Sequence, residues 1–346
     1  MKNELFIKHP HRRGLATWRD DVLFFIFLVV CLLSHPLTLV FAVDQSPVAN
    51  EDQYLLDTLW DYYQAVPNKS PVHVGLALGG GGARGLAHIG VIKVFEQEGV
   101  PIDRIAGTSV GALIGSLYAA GSSTEDLEQM AHDIGWSALT NYSGYSMVRL
   151  LVLQTLLSTD RMETYLRKRM GDIRFDELKI PFVCAATDLQ TGERVVFREG
   201  PVVTAARASA TIPGLFSPVV FRHRYLVDGG LVSNLPTDLV RSIGADIVVA
   251  SDVSSDYSNV EPTNVLSTIT QAVYIQGQQI NRENRRLADV IVSPDLQSIS
   301  PTDLTRSAEC IDAGSRAARN AALEVKRLLI DRFWPQLWDL KWTGKA

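Results

Sequence analysis

The pentapeptide Gly107-Thr108-Ser109-Val110-Gly111 constrains this chain more than any other stretch. A short run with strand character, Asp103 to Ala106, leads into it. A small-residue helix from Val110 to Ala120 leaves it and stops at Gly121. A serine on such a strand-to-helix turn must take a strained backbone, and the flanking Gly107 and Gly111 leave room for the tight passage. The turn presents the hydroxyl at the carboxyl edge of a sheet, where open α/β folds bind ligands. The helix N-terminus behind it favours negative charge nearby. The plainer reading is a glycine-rich turn whose serine caps a helix.

The rest of the chain continues the alternation. HVGLALGGGG is an apolar run ending in glycines and reads as a buried strand. GLAHIGVIKVFEQEG has helical apolar spacing and closes at Gly99. IPFVCAATDL, RVVF, YLVDGG and ADIVVASDV read as strands, Leu266 to Leu287 as a helix, and Leu323 to Leu329 as the last helix. This order implies an α/β fold with a largely parallel sheet and helices on both faces. The length suits one large domain plus a targeting segment, or two small domains.

A hydroxyl nucleophile needs a base. Only His132 and His223 follow Ser109, and no histidine follows Asp228. His132 sits in a polar helix and His223 in FRHRY, which reads as an exposed hairpin. The chain order Ser, acid, His of α/β-hydrolases is therefore excluded for an acid at Asp228. Asp228 itself is the alternative base. YLVDGG puts it at the end of an apolar strand, and Gly229 and Gly230 allow a turn that points the carboxylate into a cleft. Partial desolvation raises such a carboxylate's pKa and suits it to accept a proton. To act together, Ser109 and Asp228 must end neighbouring strands at the carboxyl edge of one sheet. The competing reading of Asp228 is an Asp-Gly hairpin turn.

Gly79 to Gly85 follow the first strand. Consecutive glycines expose backbone amides in a nest suited to an oxyanion or a phosphate, and Arg84 adds a positive charge able to meet a lipid phosphate. The same run matches GxGxxG at Gly80, Gly82 and Gly85, so a dinucleotide site competes. That reading needs an acidic residue ending a second strand about 20 residues on. Asp103 is near that distance but starts its strand. A net charge of −5, with no basic stripe past residue 50, argues against nucleic acid. No CxxC or HExxH spacing supports a metal site, and Cys184, in PFVCAA, reads as a small core residue unpaired with Cys310.

At the N-terminus Lys2, Lys8, Arg12, Arg13 and Arg19 precede the apolar run Val22 to Leu33. A basic start before an apolar run is a secretory signal pattern, with Val40 and Ala42 fitting a cut after Ala42. The rival is an uncleaved anchor from Val22 to Val43, about the 20 residues a membrane helix needs. His35 and Pro36 interrupt it and favour cleavage. Either way the remainder is exported, to a periplasmic or membrane-associated location.

Taken together, GGGGARG, GTSVG and DGG resemble the glycine-rich oxyanion segment, nucleophile elbow and dyad aspartate motif of the patatin-like phospholipase family. ASATIPGLFSPV and DGGLVSNLP are similar to further stretches of that family. The resemblance covers about residues 72–320. It implies a three-layer α/β/α fold and a Ser/Asp dyad without histidine. It also implies hydrolysis of acyl esters of phospholipids or related lipids, without metal or cofactor. By position, Ser109 would be the nucleophile and Asp228 the base, with amides around Gly80, Gly81, Gly82, Ala83 and Gly85, together with Arg84, on the oxyanion side. Gly79 departs from the aspartate of plant members and points to a bacterial type. The expected organisation is a signal peptide or anchor at 1–43, a linker and short helix with exposed aromatics at 44–71, the hydrolase domain at 72–320, and a C-terminal helix with aromatic tail at 321–346. The alternatives are a catalytically silent lipid-binding domain and a nucleotide-binding protein using GGGGARG. Asn141 to Leu157 is strongly apolar and reads as a core helix, or as a cover for an acyl pocket or a bilayer contact. Trp334, Trp338 and Trp342 suit a membrane interface or packing on the domain.

Overall fold

The computed structural model describes residues 46–66, 72–133, 158–254, 265–296 and 298–343. The expected signal segment and the stretch Asn141 to Leu157 lie outside them. Contacts divide the chain into residues 1–53 and 54–346. Of the first unit, residues 46–53 are described, as the opening of a helix.

In chain order the elements are α1 (Ser46–Ala65), β1 (Val74–Leu78), α2 (Ala87–Gln97), β2 (Arg104–Gly107), α3 (Val110–Ala120) and α4 (Thr124–Asp133). There follow α5 (Asp160–Met170), β3 (Phe182–Asp188), β4 (Arg194–Phe197), α6 (Val202–Ser209), β5 (Val219–Phe221) and β6 (Arg224–Asp228). The chain closes with α7 (Thr237–Ser242), β7 (Ile247–Ser251), α8 (Val265–Arg285), β8 (Val290–Val292) and α9 (Ser307–Thr343). A 3₁₀ turn, Gly82–Leu86, joins β1 to α2.

The eight strands among the described residues form one sheet. β1, β2, β3, β7 and β8 run parallel, and β4, β5 and β6 are antiparallel to their neighbours. The expected three-layer α/β/α fold with a largely parallel sheet is what the chain adopts. One face carries Leu76, Leu78, Ile105, Cys184, Ala186 and Val249, packed with side chains of α2, α3, α6 and α9. The other face is made of smaller groups, including Ala77, Ala106 and Ala185, over which Leu239 and Val240 of α7 settle. Fully buried parallel strands have no solvent face, which explains their continuous apolar runs.

The C-terminal helix is longer than its sequence pattern suggested. α9 covers 37 residues, with Pro335 inside it. Its first half is rich in alanine, so its buried side carries a weak apolar signal. That half crosses α2 where Gly90 and Gly314 sit. A Cβ on Gly90 would meet the Ile311 carbonyl oxygen at 1.9 Å, and one on Gly314 the Ala87 oxygen at 2.0 Å. Two backbones can approach this closely only without side chains between them. α9 also carries the core past residue 320, through Val325, Leu329 and Phe333.

α1 corrects the expectation of a helix with exposed aromatics. Tyr54 and Tyr62 are exposed, but Leu56, Trp60 and Tyr63 are buried. Their i, i+4, i+7 spacing forms one apolar stripe. Trp60 stacks on Tyr63 at 5.1 Å, and Tyr63 meets Phe333 edge-on at 5.2 Å. Lys326 lies over the Trp60 ring and reaches Glu98 at 2.6 Å. Trp334 is partly exposed. Among the described residues, no helix is long and apolar enough to cross a membrane.

Candidate active site

The turn after β2 has the geometry its sequence demands. Ser109 has φ 56° and ψ −126°, a conformation costly for any residue with a Cβ. Neither flanking glycine can carry a side chain. A Cβ on Gly107 would sit 2.5 Å from the Gly111 oxygen, and one on Gly111 would sit 2.2 Å from the Leu78 oxygen. The turn is also tied down polarly. The Thr108 amide donates to Leu78 O at 3.0 Å and its hydroxyl to Ser233 O at 2.7 Å. The Ser109 amide donates to Ser209 Oγ at 3.1 Å, and that hydroxyl donates to Ala185 O at 2.6 Å. Ser209 and Thr108 lay inside recognised stretches without having been singled out.

Asp228 reaches Ser109 by a route the sequence did not suggest. β2 pairs with Phe182–Cys184 of β3, and β6 with Ala186–Asp188. β4 pairs with residues 184–187, overlapping both. A strand has two edges, so β4 occupies one and β2 and β6 share the other. β2 ends at the level of Cys184; β6 arrives antiparallel and ends at the level of Ala186. Their tips face each other along one flank of β3. The expectation that Ser109 and Asp228 end neighbouring strands at the same edge is thus corrected. The two residues close a gap between opposed strands, with β3 alongside both.

Across that gap the Ser109 hydroxyl donates to Asp228 Oδ2 at 2.6 Å. The Gly230 amide donates to Asp228 Oδ1 at 2.7 Å. Gly229 threads past β3, and a Cβ there would lie 2.2 Å from the Ala185 oxygen. Burial pushes the Asp228 carboxyl up to about 6, against the opposing pull of the Ser109 and Gly230 hydrogen bonds. Asp228 is therefore no surface Asp-Gly turn. The hairpin turn in this region is Arg222-His223, between β5 and β6, with φ 48° and 64°. His223 is exposed there, as is His132 on α4.

The glycine loop curls beside the same serine. A Cβ on Gly80 would lie 3.2 Å from Ser109 Cβ, and Gly85 packs so tightly on Val110 that a Cβ would lie 2.0 Å from its Cγ1. Not all its amides face the site. The Gly80 amide donates to Asn234 O at 3.0 Å and the Ala83 amide to Pro301 O at 2.7 Å. Those two bonds correct the expectation that Gly80 and Ala83 donate to an oxyanion. Arg84 is corrected as well: it is 1% exposed, and its Nε donates to Ile299 O at 2.6 Å. Its charge ties the loop to the chain before α9 instead of meeting a lipid phosphate. Among the described residues, the amides of Gly81 and Gly82 have no protein acceptor.

Two residues that lay inside quoted stretches without being singled out hold this loop. Asn234 supplies the carbonyl that takes the Gly80 amide. His88, fully buried on α2, lies 2.8 Å from Gly79 O through Nε2 and 2.8 Å from Ser251 Oγ through Nδ1. Burial lowers its pKa to about 4, so it is neutral near pH 7. The dinucleotide reading loses its acidic partner, because Asp103 Oδ2 accepts the Val74 amide at 2.8 Å. That bond sits at the start of β1, at the opposite sheet edge from Gly80.

An apolar cavity of about 80 Å³ opens from Ser109 and Gly82. Val110, Leu113, Ile114 and Leu117 of α3 line it, at i, i+3, i+4 and i+7, facing Met162 and Phe216. Ser109 stands at the N-terminus of the same helix whose stripe forms the wall.

Residues 76–241 match the family model described as Patatin-like phospholipase. Over these residues the chain is similar to the patatin-like phospholipase family. It is 35% identical over 195 residues to a patatin-like phospholipase domain-containing protein of Caenorhabditis elegans, covering 56% of this chain and 14% of that one. It is 37% identical over 189 residues to an uncharacterized NTE family protein of Mycobacterium bovis, covering 54% and 50%. A lysophospholipase of Aspergillus fumigatus is 33% identical over 182 residues, covering 53% and 12%. The chain thus spans half or less of each of these relatives.

Proposed function

We propose that this chain hydrolyses acyl esters of phospholipids or related lipids, with Ser109 as nucleophile and Asp228 as its base. One observation carries the reading: the 2.6 Å hydrogen bond from the Ser109 hydroxyl to a buried carboxylate, at the mouth of an apolar cavity. The match to the patatin-like phospholipase family model and the similarity to a relative named as a lysophospholipase support the substrate class.

In this reading Ser109 Oγ attacks the ester carbonyl carbon while its proton passes to Asp228 Oδ2. The amides of Gly81 and Gly82 receive the oxyanion. Collapse of the tetrahedral species breaks the ester C–O bond, and Asp228 returns its proton to the departing alcohol. A water then gives a proton to Asp228 and attacks the acyl-serine. The second collapse releases the fatty acid, and Ser109 Oγ regains the proton. The carboxylate needs no histidine relay because it touches the hydroxyl directly. A carboxyl titrating near 6 is a stronger base than an exposed one, yet is ionised at neutral pH.

The test is labelling by a fluorophosphonate probe together with fatty-acid release from phosphatidylcholine and lysophosphatidylcholine. Wild type should label and release; Ser109→Ala should do neither, losing about 10⁴-fold or more in turnover. A well-folded Ser109→Ala protein with near-normal release would overturn the assignment. A silent lipid-binding domain would bind the vesicles and release nothing in either form.

A further inference from the structure

We propose that His88 is a positioning residue of this site: it fixes the Gly79 carbonyl and thereby aims the Gly81 and Gly82 amides beside Ser109. The inference rests on the hydrolase reading above.

The argument begins with the hydrogen-bonding capacity of the ring. Gly79 O is only an acceptor, so the 2.8 Å contact requires the proton on His88 Nε2. Nδ1 then carries a lone pair and accepts the Ser251 hydroxyl at 2.8 Å. Both ring nitrogens are satisfied, inside the protein, by a single tautomer. The imidazole has no route to Ser109 as a proton carrier, since its only mobile proton is committed to a backbone carbonyl.

The placement shows what the ring does. His88 is the second residue of α2, and Gly79 lies nine positions before it, on the other side of the glycine loop. The side chain reaches back over the 3₁₀ turn and closes the loop upon itself. Ser251 ends β7 and pairs in register with Leu78, the last residue of β1. The ring is thereby referenced to two strand ends. The Gly79 amide donates to Ser251 O at 3.1 Å and the Gly80 amide to Asn234 O at 3.0 Å. Downstream, the Ala83 amide is held by Pro301 O at 2.7 Å. The peptides on either side of Gly81 and Gly82 are pinned. The stretch between them consists of glycines, which have no side chains to hold their own conformation. Without His88, the Gly79–Gly80 peptide would keep only the bond from its N–H to Asn234 O, and its carbonyl could swing about that single anchor.

The test compares three substitutions in the full chain, using steady-state kinetics with a p-nitrophenyl acyl ester. His88→Leu removes both hydrogen bonds and leaves an apolar side chain. His88→Gln can place an amide nitrogen near the Nε2 position and still donate to Gly79 O. His88→Asn reaches only as far as Nδ1 and keeps the Ser251 contact alone. A misplacement of about 1 Å at a catalytic group costs roughly 10²-fold. His88→Leu and His88→Asn should therefore lose about 10²-fold in kcat with KM within about threefold, and His88→Gln should recover to within about tenfold of wild type. Equal activity of the Gln and Asn variants would overturn the inference, as would a folded Leu variant with wild-type kcat. If the Leu variant does not fold, the Gln-against-Asn comparison decides. Ser109→Ala, run alongside, separates the two levels. If it remains active, the hydrolase reading fails. If it is dead while the His88 variants are unaffected, only this inference fails.

Discussion

Replacing Asp228 with asparagine tests the site's electrostatics twice over, because activity and stability should move in opposite directions. In the wild type, one carboxylate oxygen accepts from Ser109 Oγ and the other from the Gly230 amide. An asparagine has one acceptor and one donor end. The Gly230 N–H can only donate, so the amide oxygen must face it, and the NH2 group turns to Ser109. The hydrogen bond to the Ser109 hydroxyl is then reversed, and nothing remains to take its proton. Loss of a general base costs about 10²–10⁴-fold in kcat, and the reversed bond argues for the upper part of that range. The stability effect follows from the burial. The carboxyl rises from an ordinary 3.8 to about 6 on folding. The native state therefore holds the proton more tightly than the unfolded state. Its stabilising share is fully present below 3.8, declines as pH rises through 6, and is gone at pH 8. A rise of that size corresponds to about 3 kcal/mol. Neutral asparagine escapes the penalty, so Asp228→Asn should be more stable than wild type at pH 8, by up to about 3 kcal/mol, and nearly equal to it at pH 4. Guanidinium unfolding at the two pH values, with ester turnover at pH 8, measures both quantities. Turnover within about tenfold of wild type would refute the role of base. A variant less stable than wild type at pH 8 would refute the desolvation argument.

The same titration should appear in the kinetics: kcat/KM should rise with pH through an acid limb centred near 6, where Asp228 ionises, and a midpoint below 4.5 would contradict a desolvated base. Gly111→Ala puts a methyl group 2.2 Å from the Leu78 oxygen. It should destabilise the fold by about 2–4 kcal/mol, and a thermal melt unchanged from wild type would mean the elbow is looser than its geometry implies. The basic start and the apolar run from Val22 predict export, so a phosphatase reporter fused after residue 60 should be active outside the cytoplasm; an expressed, stable but inactive fusion would place the chain inside.

Local features of the site were legible in the sequence because each depends on a few consecutive residues. A serine between Gly107 and Gly111, after one apolar run and before another, reads as an elbow ahead of the competing helix cap, and α3 spans the residues expected of it. YLVDGG was readable in the same way, as a strand end that turns at once. The sheet strands announced themselves because a strand covered on both faces must be apolar throughout. Helices with small buried residues did not. The first half of α9 packs through alanines and a glycine, which carry little periodic contrast, and α1 hid its buried stripe among exposed tyrosines. Only the tertiary structure could decide which groups meet. Ser109 and Asp228 lie 119 positions apart; they meet because β2 and β6 share one flank of β3, a matter of register and direction that no local pattern encodes. The same holds for the glycine loop. Its sequence promises a row of free amides and a free arginine, yet Asn234, Pro301 and Ile299 claim the Gly80 amide, the Ala83 amide and Arg84 Nε. Hydrogen-bonding groups advertise their chemistry in the sequence, but burial and partners determine whether that chemistry is spent on the fold or left for a substrate.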